Sequence, residues 1–166
     1  NKKMSQPTIK QKKEEIKLFI ILFIISIFLS HMGVVSIEDS TIVPNYFIAL
    51  IVSFILTKKA SLNLYKVLII GLATDIFVGQ LIGQYGLIFI IIFILNFLTN
   101  KMIVIQNKKQ IESLSFILIL ISFVILWLTA KNYNMFIPLK IFLLQFILTF
   151  IAYLFFKVII KKYTSK

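Results

Sequence analysis

The chain has no cysteine. That excludes disulfides, thiolate nucleophiles and cysteine-based metal sites. Its one histidine, His31, has no second histidine to share a metal or relay a proton. Arginine is absent too; all 18 basic residues are lysine, which reflects compositional bias and not a chemistry. Acidic residues number six, and only Asp75 lies well inside an apolar run. Paired carboxylates, a nucleophile–histidine arrangement, a phosphate-cradling loop and a metal cluster are all missing. The expectation is a protein that is not an enzyme and has no cofactor and no metal. Long polar stretches are also lacking, so there is no room for an aqueous catalytic domain.

What the chain does have is apolar length. Of its 166 residues, 60% are hydrophobic, and the mean hydropathy is +1.00. A helix crossing a bilayer takes about 20 residues, so six spans would take roughly 120. The expected organisation is a basic tail over 1–17, a single six-helix transmembrane domain over 18–160 and a short tail over 161–166. The spans fall at about 18–35, 46–57, 62–79, 84–99, 113–130 and 138–160. The first apolar run is too long for a signal-peptide core and is read as a retained span. Ser36 to Thr41, with Glu38 and Asp39, reads as an exposed loop. Pro44-Asn45 opens the second span and Pro138 the sixth, since proline suits the first turn of a helix.

Lysine placement sets the orientation. Sixteen of the 18 lysines fall in the tails and the even-numbered loops, and two, Lys131 and Lys140, on the opposite side. Both termini should therefore be cytoplasmic, in a multi-pass protein of the cell membrane. Tyr46, Tyr85, Trp127 and Tyr133 then gather as an aromatic belt at the outer interface. The net charge of +12 follows from this topology and from attraction to anionic membrane lipids, at about 1 kcal/mol per lysine near the surface. It does not indicate nucleic acid, because no basic groove with interleaved aromatics lies outside the membrane.

The stretch from Gly71 to Gly86 carries the functional interest. A carboxylate in hydrocarbon costs about 2.5 to 3.5 kcal/mol on insertion scales, so Asp75 should have a role. Gly71, Asp75 and Gly79 share a helix face at i, i+4 and i+8, and Gly83 lies in the turn that follows. Three readings compete. Asp75 could bind or pass a cation; it could accept hydrogen bonds from the free amides that open the fourth helix; or the glycine face could receive a partner helix. Transport ranks last, since a proton path needs further acids or histidines at successive depths. Gln145 and Lys140, on the sixth span, are candidate partners of Asp75. Ser26, Ser53, Gly86, Asn96, Ser122 and Thr149 read as packing or modest interhelical hydrogen bonds.

This hairpin resembles the rod shape-determining protein MreD family. The family pattern of Gly, Asp and Gly at four-residue steps, then Leu-Gly opening the next helix, reads here as Gly71, Asp75, Gly79, Ile82 and Gly83. Pro44-Asn45 matches the start of the family's second span. The resemblance implies a non-catalytic scaffold of the rod complex, or elongasome, in the bacterial inner membrane. There it would maintain cell shape by supporting lateral peptidoglycan synthesis. It implies MreC as partner and, through it, MreB, RodA and a class B penicillin-binding protein. It also implies a fold similar to the substrate-binding component of energy-coupling-factor transporters. Such a vitamin-binding component is the alternative. Against it, the first span has no alanine for docking a coupling subunit, and the outer loops are short.

Overall fold

The computed structural model describes residues 9–32, 35–37, 40–57, 62–78, 81–102, 108–132 and 138–164. Within them the chain forms α1 (Ile9–Ser30), β1 (Val35–Ile37), β2 (Ser40–Ile42), α2 (Tyr46–Thr57), α3 (Leu64–Val78), α4 (Gln84–Met102), α5 (Lys108–Asn132) and α6 (Leu139–Thr164). Helices with apolar residues on every side are either core helices or lipid-facing ones. Both kinds occur here. Every residue of α2 from Phe47 to Leu56 is buried, so α2 is the central post. It packs against α6, α1, α5 and α4, while α3 packs chiefly on α4.

Among the described residues, three helices are long and apolar enough to cross a membrane by themselves: 84–101, 109–130 and 139–163. Their outward faces expose large apolar side chains such as Phe97, Phe116, Ile147 and Phe155. In water such surface would be untenable; in lipid it is the favourable state. The protein is an all-α, multi-pass membrane protein. At 12 residues, α2 is about 18 Å long, shorter than the hydrocarbon core of about 30 Å.

Several boundaries differ from the sequence expectation. The basic stretch before the first span is helical from Ile9, so polar and apolar segments form one helix, α1. That helix stops at Ser30, not at Val35, and the chain turns into a two-stranded antiparallel hairpin. Val35 pairs with Ile42, Ser36 with Thr41 and Ile37 with Ser40, where a plain loop is expected. Strand pairing satisfies backbone groups that a bare loop near the bilayer would leave to water. Glu38, Asp39, Lys58, Lys59, Gly79 and Tyr133 lie outside the described residues. Tyr85 is not a belt residue. It is buried at 6% exposure, stacked edge-on between Phe47 and Phe89.

Candidate functional site

The site begins with the problem of starting α4 inside an apolar environment. The first amides of any helix lack intrahelical acceptors. Gln84 donates to Leu81 O at 3.2 Å and Leu87 to Gly83 O at 2.9 Å. The amides of Tyr85 and Gly86 find their acceptor on the preceding helix. Asp75 Oδ1 accepts from Tyr85 N at 2.8 Å; Oδ2 accepts from Gly83 N at 3.0 Å and from Gly86 N at 3.3 Å. Asp75 is 3% exposed. It acts as a helix cap delivered from α3, seated at the N-terminal end of α4. This is the arrangement that the hydrogen-bonding reading of Asp75 describes.

The glycines make that reach feasible. A methyl group on Gly71 would lie 2.5 Å from Gly86 Cα and 2.8 Å from Gly86 N, so the backbones of α3 and α4 touch there. The partner of Gly71 is Gly86, on the next helix. Gly83 has φ +94°, a left-handed conformation that side chains resist, and it caps α4. Pattern reading finds Gly71 and Gly83 but assigns Gly86 only general packing. Which α4 residue faces Gly71 depends on the path of the turn, which spacing does not encode.

A second group of polar residues joins this hairpin to the rest of the molecule. Asn45 caps α2, its Oδ1 accepting from Ile48 N at 3.2 Å. Its Nδ2 donates to the Tyr85 hydroxyl at 2.6 Å, and its own amide donates to Thr149 Oγ1 at 2.8 Å. Thr149 donates in turn to Gln145 O at 2.7 Å, and Gln145 Nε2 donates to Val43 O at 3.0 Å. The Pro44-Asn45 segment is thus held by α6 on one side and by Tyr85 of α4 on the other. From there the chain of contacts continues through the Tyr85 amide to Asp75. The two segments singled out in the sequence, Pro44-Asn45 and the Gly71–Gly83 hairpin, meet at one node.

Gln145 belongs to this node, but not as a ligand of Asp75. Its amide donor serves Val43, and the three amides above serve the carboxylate. Lys140 is exposed in the first turn of α6. His31 donates from Nδ1 to Ile27 O at 2.8 Å, an exposed side chain at the end of its helix. Ser26 and Ser122 bond back to their own helices, at Leu22 O and Leu118 O. Pattern reading gives Thr149 only a modest interhelical hydrogen bond and puts Tyr85 in the aromatic belt, so it places neither in the node. Each sits on an apolar helix, with nothing local to mark its partner.

Beside the node lies a cavity of about 400 Å³, bordered by Asn45, Tyr46, Gln84, Trp127, Phe142 and Gln145, among others. Gln84 donates from Nε2 to Thr129 Oγ1, and its Oε1 is buried without a hydrogen-bond partner. At the other end of the molecule, Lys157 and Glu112 form an ion pair at 3.3 Å between α6 and α5. No group of three or more His, Cys, Asp or Glu residues able to hold a metal occurs among the described residues.

A family model for the rod shape-determining protein MreD matches residues 11–166. The chain belongs to the MreD family. The match takes in the hairpin and the Pro44-Asn45 segment, and hence the whole node. MreD-family proteins are non-catalytic, which agrees with a carboxylate committed to backbone amides. No curated protein and no solved structure gave a significant match.

Proposed function

We propose that this MreD-family chain is a scaffold of the elongasome in the bacterial inner membrane. On this reading it spans the membrane six times with both termini in the cytoplasm. It binds MreC and, through MreC, stands near MreB, RodA and a class B penicillin-binding protein, supporting lateral peptidoglycan synthesis. The observation that carries the reading is the state of Asp75. Its oxygens are occupied by Gly83, Tyr85 and Gly86, so the carboxylate builds a rigid surface at the hairpin and does not serve as a carrier site. Fixed, lipid-embedded geometry without chemistry is what a docking platform needs.

Depletion in the native host tests this. Cells should lose rod shape, and the wild-type chain should restore it. Asp75→Ala should not, because it leaves the buried Tyr85 and Gly86 amides without acceptors, a loss of about 2–6 kcal/mol at the hairpin. Its membrane level, read by immunoblot, separates loss of fold from loss of docking. Normal morphology together with a nutrient auxotrophy would reverse the assignment.

The 400 Å³ cavity favours a second reading, the substrate-binding component of a vitamin transporter, since small-molecule sites begin at about 300 Å³. A vitamin that copurifies with the chain would place it there.

A further inference from the structure

Helices α1 to α6 converge at the end opposite the Lys157–Glu112 pair, and they do not fill the space there. Ser30 of α1, Tyr46 of α2, Phe77 of α3, Gln84 of α4, Trp127 of α5 and Gln145 of α6 all border the cavity of about 400 Å³. Protein interiors pack to the density of organic crystals, so a gap of this size where every helix meets marks a place for an occupant. Its border mixes two kinds of surface. Tyr46, Trp127 and Phe142 supply aromatic rings, and Asn45, Gln84 and Gln145 supply amides. No Lys, Asp or Glu borders it among the described residues, and His31 is an exposed residue on its border. An uncharged occupant fits such a lining, since a charged one would lose its hydration without gaining a counter-ion.

Hydrogen bonding along the border selects the kind of uncharged molecule. Gln84 is 8% exposed, and its Nε2 donates to Thr129 Oγ1. The Thr129 hydroxyl gives its own proton to Ile125 O or Leu126 O, both at 2.9 Å. Thr129 can therefore only accept from Gln84, which leaves the carbonyl Oε1 as the unused end of that amide. This Oε1 is buried and has no hydrogen-bond partner. Gln145 Nε2 serves Val43 O, and Asn45 Nδ2 serves the Tyr85 hydroxyl. Each of these three amide nitrogens has a protein acceptor, whereas a buried carbonyl lacks a donor. The occupant must bring donors. A carbonyl-rich heterocycle brings mostly acceptors; a hydroxylated ring brings donors at its edge and apolar faces for the aromatic side chains. Size narrows the class further. A cavity of about 150 Å³ holds a six-carbon ring, so by the same ratio this one takes about 16 non-hydrogen atoms, close to the roughly 15 of an N-acetylhexosamine.

We propose that this cavity is a binding site for one uncharged sugar residue, an N-acetylhexosamine in size. Its ring lies against Trp127 and Tyr46, and a hydroxyl or amide N–H of the sugar donates to Gln84 Oε1. The inference goes beyond the scaffold reading and does not rest on it, because Asp75 and its three amides take no part. The sugar sits where the Asn45 node ties α2, α4 and α6 together.

Trp127 is the one tryptophan of the chain, so its fluorescence reports on this cavity directly. The test is titration of the full chain, in vesicles of phosphatidylethanolamine and phosphatidylglycerol, with N-acetylglucosamine. A saturable change with a Kd of about 0.5 mM is expected, the affinity of about 15 atoms at ordinary ligand efficiency. Glucosamine, which has the same ring but carries a charge, should bind about tenfold more weakly. Gln84→Met removes the acceptor and should weaken N-acetylglucosamine binding about tenfold. Ala130→Leu fills the cavity from α5 and should do the same, so either variant suffices if the other does not fold, as thermal denaturation without sugar will show. No saturable change up to about 10 mM, or equal affinity in the wild type and a folded variant, overturns the site. Equal binding of glucosamine overturns the uncharged class, and tighter binding of riboflavin, a carbonyl-rich heterocycle, overturns the sugar. The depletion test reads morphology, so failure here leaves the scaffold reading standing.

Discussion

Gly71 and Gly86 look alike in the sequence and differ in what they permit. A Cβ on Gly71 would run into the Gly86 backbone, which has no side chain to swing away. A Cβ on Gly86 would meet Leu72 and the Asp75 carboxylate at 3.6–3.7 Å, ordinary contact distance. Gly71→Ala should therefore separate α3 from α4, costing about 1–3 kcal/mol by overpacking. It should also lengthen the bonds from Asp75 to the α4 amides. Gly86→Ala should be close to neutral, because the strain-free methyl regains helix propensity of up to about 1 kcal/mol. Thermal denaturation of the two variants in the same detergent checks the order. Equal losses would mean that the crossing does not depend on the Gly71 approach.

The element that ties the others together is α2, and its first residue outside the helix does most of the tying. Asn45 caps α2, receives α6 through Thr149 and grips α4 through the Tyr85 hydroxyl. Asn45→Ala removes the cap, at about 1 kcal/mol, and leaves a buried phenol without its donor, at about 1–3 kcal/mol. Tyr85→Phe removes only the second contact and should cost about 1 kcal/mol. Because both changes act on one bond, the double variant should be little worse than Asn45→Ala alone. Melting temperatures of the three variants give the cycle. Additive losses would show that the Asn45–Tyr85 bond is not a shared term.

Across the whole molecule, polar contacts concentrate at opposite ends, with an aromatic and aliphatic core between them. One end holds the node of Asp75, Asn45, Tyr85, Gln145 and Thr149. The other holds the Lys157–Glu112 pair, which joins α5 to α6. Lys157 is 8% exposed and also sits 5.6 Å above the Tyr153 ring, so it is held more firmly than its position near a helix end suggests. Glu112→Ala would leave that largely buried ammonium without its carboxylate partner. Since the Glu112 side chain is 43% exposed, water screens the loss to about 1–2 kcal/mol. Replacing both residues, Glu112→Leu with Lys157→Met, should recover most of it, since no charge is then left behind. Chemical denaturation in mixed micelles reads the difference. A double variant as unstable as Glu112→Ala would show that the pair is worth more than its screening allows.

Apolar run length and proline placement determined by themselves that the chain lies in a membrane as successive helices, and α2 begins and ends where the sequence expectation puts it. Insertion energy is a sum over local residues, so a linear reading recovers it. The cost of a carboxylate in hydrocarbon likewise marked Asp75 without any coordinates. The tertiary structure alone decided what Asp75 touches, that Gly71 faces Gly86, and that Gln145 turns to Val43. It also placed Tyr85 in the interior and paired β1 with β2. Each of these depends on the register and angle at which one helix meets another. Many weak packing contacts set that geometry together, and no single segment of sequence contains it.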